Sequence, residues 1–225
     1  MGRIVTLLLG LAAVFFIFSQ LMSFFWGTKS MRRQLKRDLR TLRRQLSEIR
    51  EALIPFEMDE FKILSYSPVI KKRKRGRTYY QNGFLSTIYQ EPVMAFAVKN
   101  SQRNGRMVML VESQKDEFIF ECTAKEVRIM HNGTDLGIID KHDRLIDTKG
   151  QEMAKLENAD SGQYKKIFLG SREVAHLNDL SPDTAGENDR LFSLFHDFNA
   201  RDEEEFIALA LYKLVVKPRL AHIRA

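Results

Sequence analysis

The segment that most limits how this chain folds lies near its C-terminal end, where Glu203 to Val216 reads EEEFIALALYKLVV. Three acids open the run, and from Phe206 to Val216 the only charged residue is Lys213. A surface helix has one apolar stripe, whereas a helix that is apolar all round is enclosed. The apolar part is also too short for a bilayer, which needs about 20 residues. We therefore expect a buried core helix that the preceding sequence wraps.

The ends of this helix carry recognisable signals. Asp202 is the predicted N-cap, and Glu205 three residues later completes a capping-box pattern. The acids of the first turn suit the positive end of the helix dipole. Lys217-Pro218 supplies the predicted stop, because proline breaks the hydrogen bonding of a helix interior.

The sequence before this helix is typical of an antiparallel β protein. Short alternating or apolar runs are separated by turn residues, with Asn104-Gly105 and Asn132-Gly133 as tight-turn signals. A first short strand is predicted at Phe61 to Ser65, and the later predicted strands are Phe84 to Gln90, Val93 to Lys99, Arg106 to Glu112, Glu117 to Cys122, Glu126 to His131, Leu136 to Ile139, Arg144 to Asp147, Gln151 to Glu157, Tyr164 to Leu169, Arg172 to Leu177 and Leu191 to Phe198. A closed sheet has no exposed edges and leaves an interior that an all-apolar helix fills. We therefore expect a mainly β fold, a closed antiparallel β-barrel around one buried C-terminal helix.

The positive charge of the chain is concentrated in one stretch. Of the formal net charge of +7, residues Lys29 to Arg50 contribute nine basic side chains against two acidic ones, and everything from Glu51 onward is close to neutral. The high pI therefore describes a local segment, which does not favour nucleic acid as the partner. The single cysteine, Cys122, forms no internal disulfide and is typical of a small buried side chain in a reducing compartment.

The N-terminal part predicts a membrane anchor. Ile4 to Trp26 is a 23-residue run without a formal charge, and at 1.5 Å per residue it spans roughly 34 Å as a helix. A cleaved signal peptide is the competing interpretation, but the run is long for one. Arg3 stands alone on one flank, whereas basic residues crowd the other from Lys29 onward. The positive-inside rule then predicts a single-pass membrane protein with its N-terminus outside and its C-terminal domain in the cytoplasm.

A second helix is predicted after the anchor, with the apolar spacing of a coiled coil. The seam steps by four and three residues and consists of Leu35, Leu39, Leu42, Leu46, Ile49 and Leu53. Three interpretations stay open: self-association of two or three copies, packing on a helix of a membrane-complex partner, or packing on the domain that follows. Pro55 ends the helix.

Two groups of basic residues are the candidate contacts for anionic lipid or an acidic partner. On the helix they are Arg32, Arg33, Lys36, Arg37, Arg40, Arg43 and Arg44, and in a predicted loop they are Lys71, Lys72, Arg73, Lys74, Arg75 and Arg77. Near an anionic leaflet each basic residue contributes about 1 kcal/mol of attraction, which fades within a Debye length. The alternatives are a solvated helix face that serves as a topology signal, and a simple solvated loop.

The hairpin region resembles the tubby C-terminal-like group, which includes tubby proteins, phospholipid scramblases and the plant LURP-one-related proteins. The residues that carry the resemblance are Asn132 to Ile139, Leu145 to Leu156, Ser171 to Leu177 and the helix Glu203 to Val216. The resemblance implies a barrel of about twelve strands around a central helix and a phospholipid-associated role, with no catalytic residues. The basic ligand-binding residues of tubby proteins have no matching motif here, and the cysteine-rich stretch of scramblases is missing from the sequence.

Together these patterns predict three parts: an anchor at 1–27, a basic heptad helix at 28–54 and a tubby-like domain at 55–225. The sequence contains no catalytic signature, so we expect no enzyme activity, metal or cofactor. The leading hypothesis is a non-catalytic protein that binds anionic phospholipid or a membrane-protein partner. The first alternative is an accessory subunit of a membrane complex that docks through the heptad helix. The second is a scramblase-like protein, which rests on the resemblance alone.

Overall fold

The computed structural model describes residues 32–65, 69–101, 105–159, 162, 164–178, 190–195 and 198–224. The chain divides into two compact units, Met1–Arg40 and Thr41–Ala225. Residues 32–50 are helical and are called α1 here, so the described part of the first unit is the helical stretch 32–40. All packing described below belongs to the second unit.

Twelve antiparallel strands form one sheet in which every strand pairs with its neighbours in sequence. A 3₁₀ helix, Met58–Ile63, precedes them. The strands are β1 (Val69–Arg75), β2 (Thr78–Ser86), β3 (Pro92–Ser101), β4 (Arg106–Glu112), β5 (Glu117–Cys122), β6 (Val127–His131), β7 (Thr134–Ile139), β8 (Arg144–Ile146), β9 (Glu152–Asn158), β10 (Tyr164–Leu169), β11 (Arg172–Asn178) and β12 (Phe192–Leu194).

The prediction of a closed barrel is wrong, because the described strands form an open sheet with β1 and β12 at its two edges. Isolated bridges join Leu64 to Thr87 and Ser65 to Arg190, but these two contacts add no ladder between the edge strands. The two edges are poorly matched, since β12 has three residues and β1 has seven. Consecutive basic side chains along β1 also oppose the addition of another strand, because an edge strand rich in lysine resists pairing.

The C-terminal helix is buried, as its all-round apolarity predicts. It consists of α2 (Ala200–Leu211), a π-helical segment (Tyr212–Val216) and α3 (Lys217–Arg224). Phe206 and Leu209 have no exposed surface, and α2 contacts β9 and β10 while α3 contacts β4. The ring of Phe206 also lies 5.4 Å from that of Phe61 and 5.5 Å from that of Phe192, centroid to centroid, so the helix joins the 3₁₀ helix to the last strand.

Both predicted ends of this helix are wrong. The N-cap is Asn199, whose side-chain oxygen accepts from the amides of Arg201 and Asp202 at 3.0 and 2.9 Å, so Asp202 lies inside the first turn. Pro218 does not stop the helix either, because it is the second residue of α3, where a missing N–H is tolerated. The preceding turn is wider, with the Lys217 amide bonded to the Tyr212 carbonyl five residues back. We attribute the tolerance of proline to this π-helical turn.

The two faces of the sheet carry two apolar layers. Phe96, Val98 and Met109 alternate with Ala97 and Leu110 along β3 and β4, and all five are buried. Only the first three belong to the core cluster that holds the C-terminal helix. Because neighbouring strand residues point to opposite faces, the other two belong to the outer face.

The part of α1 in the second unit is anchored beside this outer face. Leu42 and Leu46 have no exposed surface, the guanidinium of Arg43 bonds to Glu117 of β5, and the Asn82 amide of β2 lies 3.4 Å from the Gln45 carbonyl oxygen. These contacts connect α1 to strands on both sides of β3 and β4. We infer that residues 41–50 of α1 cover the outer face of the sheet.

No helix within the described residues is both long enough and apolar enough to cross a membrane. This finding contradicts the predicted single-pass membrane topology, with its N-terminus outside and its C-terminal domain in the cytoplasm. The run that suggested the topology, Ile4 to Trp26, lies outside the described residues.

Candidate anion-binding hairpin

The predicted basic loop is in fact an edge strand and the turn that follows it. Residues Lys71 to Arg75 belong to β1 and pair in register with Asn82 to Thr78 of β2. The turn between the strands is Gly76-Arg77, and Gly76 has a φ of +60°, a conformation that glycine adopts without steric cost. The basic residues are therefore presented on a defined hairpin, which we call the basic hairpin, Val69 to Ser86.

The side chains of Lys71 to Lys74 are exposed on both faces of the sheet, and the side chain of Arg75 lies outside the described part of the structure. Lys71 and Arg73 lie on one face and Lys72 and Lys74 on the other, because side chains alternate along a strand. Lys74 places its Nζ 5.1 Å from the centre of the Tyr79 ring. Within the described part of the chain, none of these four side chains forms an ion pair with a carboxylate. Their charge is therefore directed at solvent or at a ligand.

In the part of α1 that belongs to the second unit, two of the basic residues contact acidic side chains of the sheet. Arg43 donates from Nε and Nη2 to the two carboxylate oxygens of Glu117 at 2.9 and 2.8 Å, and this hydrogen bonding raises the pKa of the arginine. Arg50 lies 3.9 Å from Glu112. Arg44 is exposed. Of the predicted lipid contacts on this part of the helix, Arg43 already forms an ion pair within the protein.

The first unit contains the other predicted basic residues of the helix. They are all exposed and comprise Arg32, Arg33, Lys36, Arg37 and Arg40. The same stretch holds Leu35, which is partly buried, and Leu39, which is 7% exposed.

The heptad seam of the second unit is occupied within the single chain. Leu42 and Leu46 are 0% exposed, Leu53 is 4% exposed and Ile49 is partly buried. Gln114 of the turn after β4 also donates to the Leu53 carbonyl at 2.6 Å. Of the three interpretations of the seam, packing on the following domain is the one that this geometry describes, and docking on another helix would have to expose these leucines.

Sequence reasoning missed Arg219, which belongs to α3. Its side chain is 9% exposed, and its Nε donates to Gln81 Oε1 of the basic hairpin at 2.8 Å. Desolvation lowers the pKa of Arg219 to about 10. No sequence signal points to it, because Pro218 predicts that the helix has already ended and an arginine past a helix end is expected in water.

The described residues contain no group of three or more histidine, cysteine or acidic side chains placed to hold a metal ion. Cys122 is buried, and burial raises the pKa of its thiol far above the ordinary value. Its environment therefore opposes the thiolate form that a nucleophile requires.

Comparison of the chain with protein-family models, with curated proteins and with solved structures finds no match in any of the three. The resemblance to the tubby C-terminal-like group therefore stays a prediction.

Proposed function

We propose that the second unit is a non-catalytic module that binds anionic phospholipid through the basic hairpin. The observation that carries the proposal is the run Lys71 to Lys74, four consecutive exposed basic side chains on an edge strand with no carboxylate partner in the described structure. Arg77 extends the same charge into the turn.

The electrostatics of the chain favour this hairpin over other surfaces. From Glu51 onward the basic and acidic residues nearly balance, so six basic residues in seven positions make a strong local excess. Each basic residue held near an anionic lipid surface contributes about 1 kcal/mol. Several such residues on one rigid hairpin add their contributions, and screening by salt reduces them.

The same charges also protect the edge of the sheet. A long unpaired strand promotes association with other strands, and lysines along it oppose this association. Edge protection needs repulsion between two copies of β1, whereas lipid binding needs attraction to a negative surface. The two roles are separated by changing the charge of the lipid while the protein stays the same.

The experiment uses the full-length chain on lipid nanodiscs. Because Ile4 to Trp26 is strongly apolar, bulk lipid is held constant and only the headgroup charge is changed, from phosphatidylcholine alone to a mixture with phosphatidylserine. Hydrogen exchange of the hairpin amides is the readout. We expect slower exchange in the anionic discs and a return to the neutral-disc rate at high salt.

A matched pair of variants assigns the effect to the hairpin. The test variant combines Lys71→Gln, Arg73→Gln and Arg77→Gln, and the control combines Lys125→Gln, Lys141→Gln and Lys149→Gln, which are exposed turn residues elsewhere. Both variants lose three positive charges. Protection that disappears only in the test variant supports the proposal, whereas equal protection in neutral and anionic discs overturns it.

A further inference from the structure

Arg219 is a buried cation without a counter-charge. Its side chain is 9% exposed, and the described structure places no carboxylate within ion-pair distance of it. Nε donates to Gln81 Oε1 at 2.8 Å and Nη1 donates to the Val215 carbonyl, while the guanidinium carbon lies 5.0 Å from the centre of the Phe96 ring. The Nη2 group donates to no acceptor among the described residues, and it is not one of the fully buried atoms that lack a partner, so it reaches solvent.

This arrangement is unfavourable for the protein by itself. A buried charge is normally paired, since removing it from water costs more than neutral hydrogen bonds recover. The lowered pKa of about 10 still leaves Arg219 protonated near neutral pH. The guanidinium therefore presents a fixed positive charge and unused donors in a partly dehydrated place, which favours the arrival of an anion.

The register of the hairpin places two further cations on the same face of the sheet. Gln81, the partner of Arg219, lies directly opposite Lys72, and Tyr79 lies directly opposite Lys74. Residues directly opposite each other in an antiparallel pair have side chains on the same face, a few ångströms apart. A path therefore leads from the buried guanidinium past Gln81 to two exposed ammonium groups.

We propose that this face of the basic hairpin is a phosphate-binding site, with Arg219 at its base and Lys72 and Lys74 at its rim. A planar guanidinium matches two phosphate oxygens, and lysines add point charges around them. The inference rests on the proposed function, since it names the chemical group that the hairpin recognises. The phosphate belongs either to a lipid headgroup or to a free phosphate ester.

The test is a thermal titration of the full-length chain in non-ionic detergent at constant ionic strength. One arm uses inorganic phosphate, a second uses soluble dihexanoyl phosphatidic acid, and chloride replaces phosphate in the reference. A ligand that binds the folded state raises Tm with its concentration. We expect phosphate to raise Tm, and stronger stabilisation by the short-chain lipid identifies a headgroup, whereas equal stabilisation identifies a free phosphate.

Variants locate the site. Arg219→Met removes the charge and keeps most of the apolar stem, so we expect the phosphate-dependent rise in Tm to disappear. If Arg219→Met does not fold, the double variant Lys72→Gln with Lys74→Gln provides the answer, because both side chains are exposed. We expect it to weaken phosphate binding by at least about tenfold, because two charged contacts are lost. The control, Lys125→Gln with Lys141→Gln, should bind as the wild type does.

Two results overturn the inference: no rise in Tm with phosphate, or a rise that both site variants retain. The nanodisc experiment changes only Lys71, Arg73 and Arg77, so its outcome is separate. Anionic protection without phosphate binding removes this inference alone, whereas phosphate binding without anionic protection removes the lipid proposal alone.

Discussion

Tyr212 donates from its hydroxyl to Asp143 Oδ1 across 2.9 Å, so the first residue of the π-helical segment is fixed to the turn between β7 and β8. Lys217 bonds to the other carboxylate oxygen of Asp143. Asp143 has a φ of +60°, which asparagine and aspartate adopt more readily than most residues. One turn residue thus holds both ends of the widened helical turn.

This relationship predicts an order of stability among variants of Asp143. Asp143→Asn keeps the backbone preference and one acceptor, and we expect a loss of about 1 kcal/mol. Asp143→Ala removes both acceptors and adds left-handed strain, so we expect a loss of about 3 kcal/mol. Urea denaturation measures both, and a loss for Asp143→Ala no larger than the cost of the left-handed backbone alone, about 1 kcal/mol, would show that the side-chain contacts contribute little.

Gly137 is predicted to be irreplaceable. Its φ is +148°, and a Cβ there would lie 2.2 Å from the Ile146 carbonyl oxygen, so we expect Gly137→Ala to cost at least about 3 kcal/mol. Gly133→Ala is the matched control, because its φ is +81° but nothing lies within 4 Å of the added carbon. The control should lose about 1 kcal/mol from the backbone conformation alone. Similar denaturation midpoints for the two variants would contradict the steric explanation.

The Arg43–Glu117 ion pair predicts a modest stabilising role for this basic residue. Because the side chains are 47% and 24% exposed, we expect a coupling of at most about 1 kcal/mol in a double-mutant cycle of Arg43→Gln with Glu117→Gln. The coupling should fall as salt is added. Arg44→Gln, at an exposed neighbouring position, should change stability by less than about 0.5 kcal/mol. A coupling of zero at low salt would refute the role.

Leu46 tests whether the heptad seam stabilises one chain or an assembly. The side chain is fully buried within the chain, so we expect Leu46→Ala to cost about 2–5 kcal/mol through lost packing and a cavity. The denaturation midpoints of wild type and variant should not depend on protein concentration. A wild-type midpoint that rises with concentration would instead indicate that the seam joins copies of the chain.

Glu205 predicts a pH dependence of stability. Burial raises its pKa above the ordinary value of 4.5, and Arg201, with Nε 2.9 Å from Oε1, opposes this effect. Because the pKa of Glu205 is higher in the folded state than in the unfolded state, the protonated side chain stabilises the fold. This stabilisation is complete below about pH 4.5 and is lost as the pH rises through the pKa of the folded state.

Glu205→Gln removes this titration. The free energy of unfolding of the variant minus that of the wild type should therefore be larger at about pH 7 than at about pH 4. Chemical denaturation at the two pH values measures the difference. An identical difference at both values would exclude a raised pKa.

Sequence patterns predict the strands that are rich in apolar residues and miss β1, whose residues are mostly basic. The residues Met107 to Val111 are apolar and buried, and the strand there was predicted with the observed bounds. The sequence predicts a loop at β1 because only Val69 and Ile70 are apolar there, whereas backbone pairing with β2 makes it a strand. The signal for it was Gly76, the kind of residue that a two-residue hairpin turn requires.

Sequence patterns do not predict whether the sheet closes, or which residue lies at the base of the candidate site, for a different reason. Local propensity specifies a hairpin, but whether β1 meets β12 depends on the lengths and charges of two strands distant in sequence. The bond from Arg219 to Gln81 joins residues 138 positions apart, and no local pattern encodes it.

The neighbour-only order of the strands has a consequence for the newly made protein. Each strand pairs with the one synthesised just before it, so the ladder is able to grow while the chain is still being translated. The apolar face that holds Phe96 and Met109 nevertheless has no cover until Phe206 and Leu209 leave the ribosome. Until then, we expect the growing sheet to expose an apolar surface that promotes aggregation unless a chaperone binds it.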